Sequence, residues 1–174
     1  MDLDVVRTYL EMRAPGALRA ARVHDPDVVV ERLARCTPAH YRALYRDVGE
    51  RWHWRDRLAW SDATLGGYLA DPRVEVWELR VSGEPSGYFE LKREGADTEI
   101  VYFGLAERVH GRGLGKHLLT RAVEEAWRGD TARVWLHTCT LDGPAALPNY
   151  LARGFVATRT ETYRATVPDE TPSP

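Results

Sequence analysis

The chain has 174 residues, a formal net charge of −2, 44% hydrophobic and 29% charged residues. This length fits one domain that buries its core without disulfide or metal staples. The charge argues against a nucleic-acid partner, which needs clustered positive excess; the 22 Arg against 2 Lys run scattered from Arg7 to Arg164 and read as coding bias.

The N-terminus, MDLDVVRTYLEMRAPG, has no basic or apolar leader, and no apolar run approaches a membrane span, so a cytoplasmic protein with no membrane partner is expected. Residues 4 to 14 are expected to form a first strand. In residues 38 to 50, Tyr41, Leu44, Tyr45 and Val48 recur at helical steps. A second helix, capped by Ser61 or Asp62, carries Leu65, Tyr68 and Leu69 and must end before Pro72. Val74 to Val81 and Gly87 to Lys92 read as strands, with a turn at Arg93 to Asp97. Thr98 to Leu105 is an apolar third strand. Residues 113 to 128 place Leu114, Leu118, Leu119, Ala122, Val123, Ala126 and Trp127 on one helical stripe. A strand over 132 to 139, a short helix and a strand from Phe155 to Ala165 complete residues 1 to 166 as one domain. The Pro-rich segment from Val167 to Pro174 reads as a flexible tail. The order predicts an α/β (α+β) fold with one central sheet flanked by helices.

The chemistry concentrates in TEIVYFGLAERVHGRGLGKHLL, residues 98 to 119. A buried strand enters a loop with Gly111, Gly113 and Gly115, and a helix starts at once. Glycines let the backbone turn sharply and approach a ligand. The N–H groups that open the helix, at its positive end, suit a pyrophosphate. The dinucleotide fingerprint G-x-G-x-x-G fails, since Lys116 follows Gly113 by three residues and Leu118 follows Gly115 by three. The Walker pattern fails at His110 and His117.

This segment resembles motif A of the GNAT N-acetyltransferase superfamily, R/Q-x-x-G-x-G/A, with His110, Gly113 and Gly115 at its defined positions and His110 departing from the usual Arg or Gln. The resemblance implies a mixed, mostly antiparallel GNAT sheet and acetyl-coenzyme A as cosubstrate. It implies that Phe103, Gly104 and Leu105 hold the pantetheine arm, and that His110, Gly111, Arg112, Gly113, Leu114, Gly115 and Lys116 hold the pyrophosphate. Downstream, HTCTLDGPAALPNYLARGF resembles motif B, in which a Tyr lies four residues before Gly-Phe; Tyr150, Gly154 and Phe155 fit. In the family this Tyr is the general acid toward the departing thiolate, and Asn149 beside it is a candidate pantetheine contact. Asp142 stands one residue off the Asn that often opens the family's helix, and Pro148 sits where a helix interior is expected, predicting a bend.

A base must take a proton from the attacking amine. Glu99 is the first candidate: its T-E-I-V setting is similar to that of the catalytic Glu of histone-type members, and alternation predicts Glu99, Val101, Phe103 and Leu105 on one face. Glu90 is the reserve, with a role at the substrate, and a water relay is the other alternative. His137 and Cys139 share a strand face but read as packing. Scattered His and two Cys give no metal-ligand spacing.

Trp52, Trp54 and Trp60 fall where the family walls its acceptor site, and a cation–π pocket for a charged amine is one expectation, with plain core packing the other. The implied function is acetyl transfer to a small-molecule or amino-acid amine. The alternatives are acetylation of a protein N-terminus or lysine, and a non-catalytic acyl-coenzyme A sensor. A homodimer is an expectation from the family, where dimers are common.

Overall fold

The computed structural model describes residues 1–167. The tail expected beyond them lies outside the described residues; Val167 itself is buried, and its N–H donates to the Met1 carbonyl at 2.9 Å. The strands are β1 (Asp2–Met12), β2 (Val28–Arg32), β3 (Val74–Val81), β4 (Glu84–Glu94), β5 (Asp97–Leu105), β6 (Arg133–Cys139) and β7 (Val156–Thr166). The helices are α1 (Pro38–Gly49), α2 (Asp62–Leu69), α3 (Leu114–Ala126) and α4 (Ala146–Arg153). They build one seven-stranded sheet in the order β2-β3-β4-β5-β6-β1-β7.

Local chemistry sets the helix starts. Thr37 caps α1 by accepting from His40 N–H, with Pro38 at the first position, where its missing N–H costs nothing. Ser61 caps α2 by accepting from Thr64 N–H at 3.1 Å. The stripe on α3 packs on one sheet face: Leu114, Leu118, Leu119 and Val123 are buried against Leu79, Phe89, Leu91, Ile100 and Leu136. Each such side chain contributes about 1.5–3 kcal/mol. Tyr41, Leu44, Tyr45 and Val48 of α1, with Leu65 of α2, cover the opposite face over Val76 and Tyr88.

One strand stands outside the expectations, and two expectations need correction. The β2 strand was not anticipated; its Val28-Val29-Val30 run pairs with β3 at the sheet edge. Pro148 does not bend a helix interior. Helix α4 starts at Ala146, so Pro148 lies in the first turn, where its N–H would have had no helical partner. The predicted shared face of Glu99 and Phe103 is also wrong. Leu91 pairs with Ile100 and Glu90 pairs with Tyr102, leaving Val101 as a bulge. Phe103 and Leu105 therefore turn toward the α3 side with Ile100, whereas Glu99 shares the α1 side with Tyr102.

Candidate active site

All neighbouring strands are antiparallel except β5 and β6, which pair in parallel over three residue pairs: Asp97 with Arg133, Thr98 with Val134, Glu99 with Trp135. Beyond Glu99 the two strands part. One edge of β5, from Ile100 to Leu105, then faces a cleft of 1110 Å³ instead of a strand, with His137 and Cys139 of β6 on the far wall. An unpaired strand edge offers alternating N–H and C=O groups to an extended, amide-bearing ligand.

The cleft ends at α3. Gly111 and Gly113 adopt φ of 76° and 73°, conformations that cost other residues about 1–2 kcal/mol. Gly113 is the N-terminal cap of α3, with no side-chain cap bond, unlike α1 and α2, and the first turn of α3 holds no acidic residue. The opening N–H groups thus keep their donors and the positive dipole end for an anion. Gly115 follows inside the first turn; a Cβ there would lie 3.7 Å from Asn149 Nδ2 and 3.8 Å from Leu105 Cδ1. The Asn149 amide donates to the Gly115 carbonyl at 3.2 Å, fastening α4 to the start of α3. The His110 ring lies 3.0 Å from the Leu105 carbonyl, tying the loop back to the end of β5.

Phe103, Gly104, Leu105, His110, Gly111, Gly113, Leu114, Gly115, Asn149 and Tyr150 all line this cleft. Arg112 and Lys116 do not; Lys116 folds beside Gly113, its Cε 3.2 Å from where a Gly113 Cβ would stand. Tyr150 is 7% exposed, held edge-on by Phe103 and Phe155 at 6.0 and 6.2 Å between ring centres. Its hydroxyl has no protein hydrogen bond among the described residues, and burial, then the nearby Asp142 charge, raises its pKa. Asp142 shapes the loop after β6, accepting from Thr138 Oγ1 at 2.5 Å and Cys139 N–H at 2.9 Å. His137 and Cys139 make no hydrogen bond to each other.

The two acidic candidates stand outside the cleft lining. Glu99 sits where β5 and β6 part, in a smaller polar pocket of 290 Å³ with Tyr9, Lys92 and Trp135. Burial first, then the Glu90 and Glu94 charges, push its carboxyl from 4.5 up to about 7. Glu90 is fully buried and accepts three hydrogen bonds: from Tyr41 Oη at 2.5 Å, Tyr68 Oη at 2.5 Å and Arg57 Nη2 at 2.9 Å. The role expected for it at the substrate is thus set against full burial and a place outside the cleft lining.

Trp52, Trp54 and Trp60 do line the other half of the cleft. Trp52 packs on Gly143 across the mouth, within 3.1 Å of where a Cβ would lie, and Trp54 packs on Tyr45 and Tyr102. Arg57, which sequence reasoning did not single out, holds its guanidinium carbon 4.0 Å from the centre of the Trp60 ring, 4.4 Å from Tyr68 and 5.3 Å from Tyr102. Among the described residues there is no cluster of three or more His, Cys, Asp or Glu that could hold a metal, and no helix long and apolar enough to cross a membrane.

The cleft splits two parallel strands, is lined by a free strand edge and ends on an uncapped, glycine-entered helix. The sequence model of the acetyltransferase (GNAT) family matches residues 31–155. The chain belongs to this family of acetyltransferases, whose cosubstrate is acetyl-coenzyme A. Solved structures share the fold. A GCN5-related N-acetyltransferase from Kribbella flavida is 16% identical with a TM-score of 0.64, over 94% of this chain and 58% of that one. A functionally unknown protein from Staphylococcus epidermidis gives 17%, 0.66, 94% and 61%. An aminoglycoside acetyltransferase from an uncultured soil metagenomic sample, in complex with trehalose, gives 16%, 0.63, 74% and 88%. The chain thus spans about three-fifths of the first two. No curated protein matches its sequence.

Proposed function

We propose that the chain transfers the acetyl group of acetyl-coenzyme A to the primary amine of a small molecule or amino acid, by direct attack in a ternary complex. The observation that carries this is the parting of β5 and β6 beyond Glu99, which opens the β5 edge toward Tyr150 and the Gly113 helix start. The residues present fit the cosubstrate. The β5 edge at Phe103 to Leu105 pairs with its amides, and the N–H groups of Gly113 to Gly115 take its pyrophosphate. Bound there, it supplies the thioester carbonyl that the amine attacks.

Tyr150 is the general acid. Its raised pKa keeps it protonated at neutral pH, and its hydroxyl donates as the carbon–sulfur bond breaks. Burial makes a phenol a weaker acid, but the same dry surroundings raise the proton affinity of the thiolate. Glu99 is the base. With a carboxyl near 7 it is poised to accept a proton at neutral pH. Because it stands beside the cleft rather than in it, the amine's proton reaches it through water. Trp52, Trp54 and Trp60 line the acceptor half, and such a wall of rings suits a small amine better than an extended protein segment.

The test follows free thiol release from acetyl-coenzyme A with a panel of primary amines, in the wild type and in Tyr150→Phe. The expected result is amine-dependent release, with kcat reduced at least ~10-fold in the variant and acetyl-coenzyme A affinity retained. Full turnover in the variant removes Tyr150 from the mechanism.

A further inference from the structure

Resting on the reading of the cleft as an acetyl-transfer site, we propose that the acceptor carries a carboxylate as well as its amine, and that Arg57 is the residue that reads it. The Arg57 side chain is only 9% exposed, yet it lines the acceptor half of the cleft. A cation is buried this deeply only at a cost that a partner must offset. Glu90 offsets part of it through Nη2, but Glu90 also accepts hydrogen bonds from the Tyr41 and Tyr68 hydroxyls, so its charge is shared among three donors. The Arg57 Nε is buried with no partner at all. Nη1 has no hydrogen bond among the described residues and is not among the fully buried atoms, so it is the guanidinium nitrogen with a donor free for a ligand.

The rings around Arg57 are already committed to a cation. Trp60, Tyr68 and Tyr102 already hold the guanidinium, so the rings that would attract an acceptor ammonium are occupied by a cation of the protein's own. Arg55 lines the same half of the cleft and has no ion pair among the described residues. Asp56 is the acid on that wall, and Glu99 lies within electrostatic reach of Arg57 from the neighbouring pocket. Arg57 and Arg55 stand among three acids, Glu90, Asp56 and Glu99, so the place for a carboxylate rests on the unbonded donors, with one oxygen on Nη1 and a second contact from Arg55. A planar, weakly hydrated guanidinium suits that task. Anchoring the carboxylate would hold the amine off the Trp60 wall, and a neutral amide in its place would leave Nη1 without its charged partner.

The experiment compares the common L-amino acids with their own α-amides as acceptors, by free thiol release at saturating acetyl-coenzyme A. In parallel, each is titrated into the coenzyme A-loaded protein while tryptophan emission is followed, since Trp60 lies against Arg57. The expected result is at least one acid whose kcat/KM exceeds that of its amide by ~10-fold or more. That acid should also change the emission. Arg57→Lys, which retains a charge for Glu90, should collapse the acid-to-amide ratio toward one without loss of acetyl-coenzyme A affinity. Arg55→Gln, at an exposed position, should lower the ratio part of the way. Equal use of acids and amides, or neither turnover nor an emission change with any acid, overturns the proposal. Acetyl-coenzyme A binding measured on the same samples keeps the two readings apart: bound cosubstrate with no acid preference sinks only this inference, and no cosubstrate binding sinks the acetyl-transfer reading beneath it.

Discussion

Replacing Glu99 by Gln isolates the electrostatics of the spot where β5 and β6 part. Burial, then Glu90 and Glu94, raise the Glu99 carboxyl from 4.5 to about 7 in the folded chain. A carboxyl whose folded value lies above its unfolded one stabilises the fold fully below about pH 4.5. That stability is lost as pH climbs through about 7. Between pH 5 and 8 the whole shift is worth about 2.5 kcal/mol by linkage, and partial solvent exposure of the group reduces this to ~1–1.5 kcal/mol. Gln mimics the protonated form and carries no such slope. In a domain of this size 1 kcal/mol moves Tm by about 2–4 °C. The Tm of Glu99→Gln relative to wild type should therefore rise by roughly 2–6 °C on going from pH 5 to pH 8, read by scanning calorimetry in matched buffers. A relative Tm that stays flat across this range refutes the raised carboxyl. The acidic limb of the pH–rate profile should fall near pH 7 in the wild type and disappear in the variant; an unmoved limb assigns the base to water alone.

The Arg57–Glu90 pair gives a second check. Arg57→Leu strands a fully buried carboxylate and should cost about 3–5 kcal/mol in urea unfolding, while the double variant Arg57→Leu/Glu90→Leu should recover most of that loss. A loss under about 1 kcal/mol for the single change would mean that Glu90 is satisfied by its two phenols. At the end of α4, Gly154 has φ of 109° and a Cβ there would meet the Ala17 carbonyl oxygen at 2.1 Å, whereas Gly129, at 74°, has nothing within 4 Å. Gly154→Ala should cost well over 2 kcal/mol and Gly129→Ala only about 1 kcal/mol; equal costs would show that the clash is relieved by movement of the Ala17 segment.

What the sequence makes legible is what depends on neighbours along the chain. The Gly111–Gly113–Gly115 loop, the stripe on α3 and the Tyr150 to Gly154-Phe155 spacing are local patterns, and each lies where that pattern places it. The bulge at Val101 leaves no such mark, because Ile100, Val101 and Tyr102 all favour strand; one extra residue moved Glu99 to the other face. Pro148 was misjudged because a helix start is blurred by a residue or two. The fate of Glu90 was beyond reach for a different reason: its three partners come from 49, 33 and 22 residues away. Arg57 is one arginine among 22, and only the converging rings of Trp60, Tyr68 and Tyr102 distinguish it. Val28–Arg32 carried a signal, three consecutive β-branched residues after Asp25-Pro26-Asp27, too short to stand without the β3 edge it pairs with.

The central claim is that the β5 edge and the α3 start bind acetyl-coenzyme A, and calorimetric titration of the purified protein with acetyl-coenzyme A, repeated on Gly115→Glu, tests it most directly. Gly115 is the position of choice because its backbone is ordinary helix, so the variant adds bulk and a negative charge to the cradle without the backbone strain that a change at Gly113 brings. Micromolar binding, about −8 kcal/mol, that disappears in Gly115→Glu while the fold is retained is the predicted result. No binding to the wild type, or equal binding to both proteins, would contradict the assignment of this cleft.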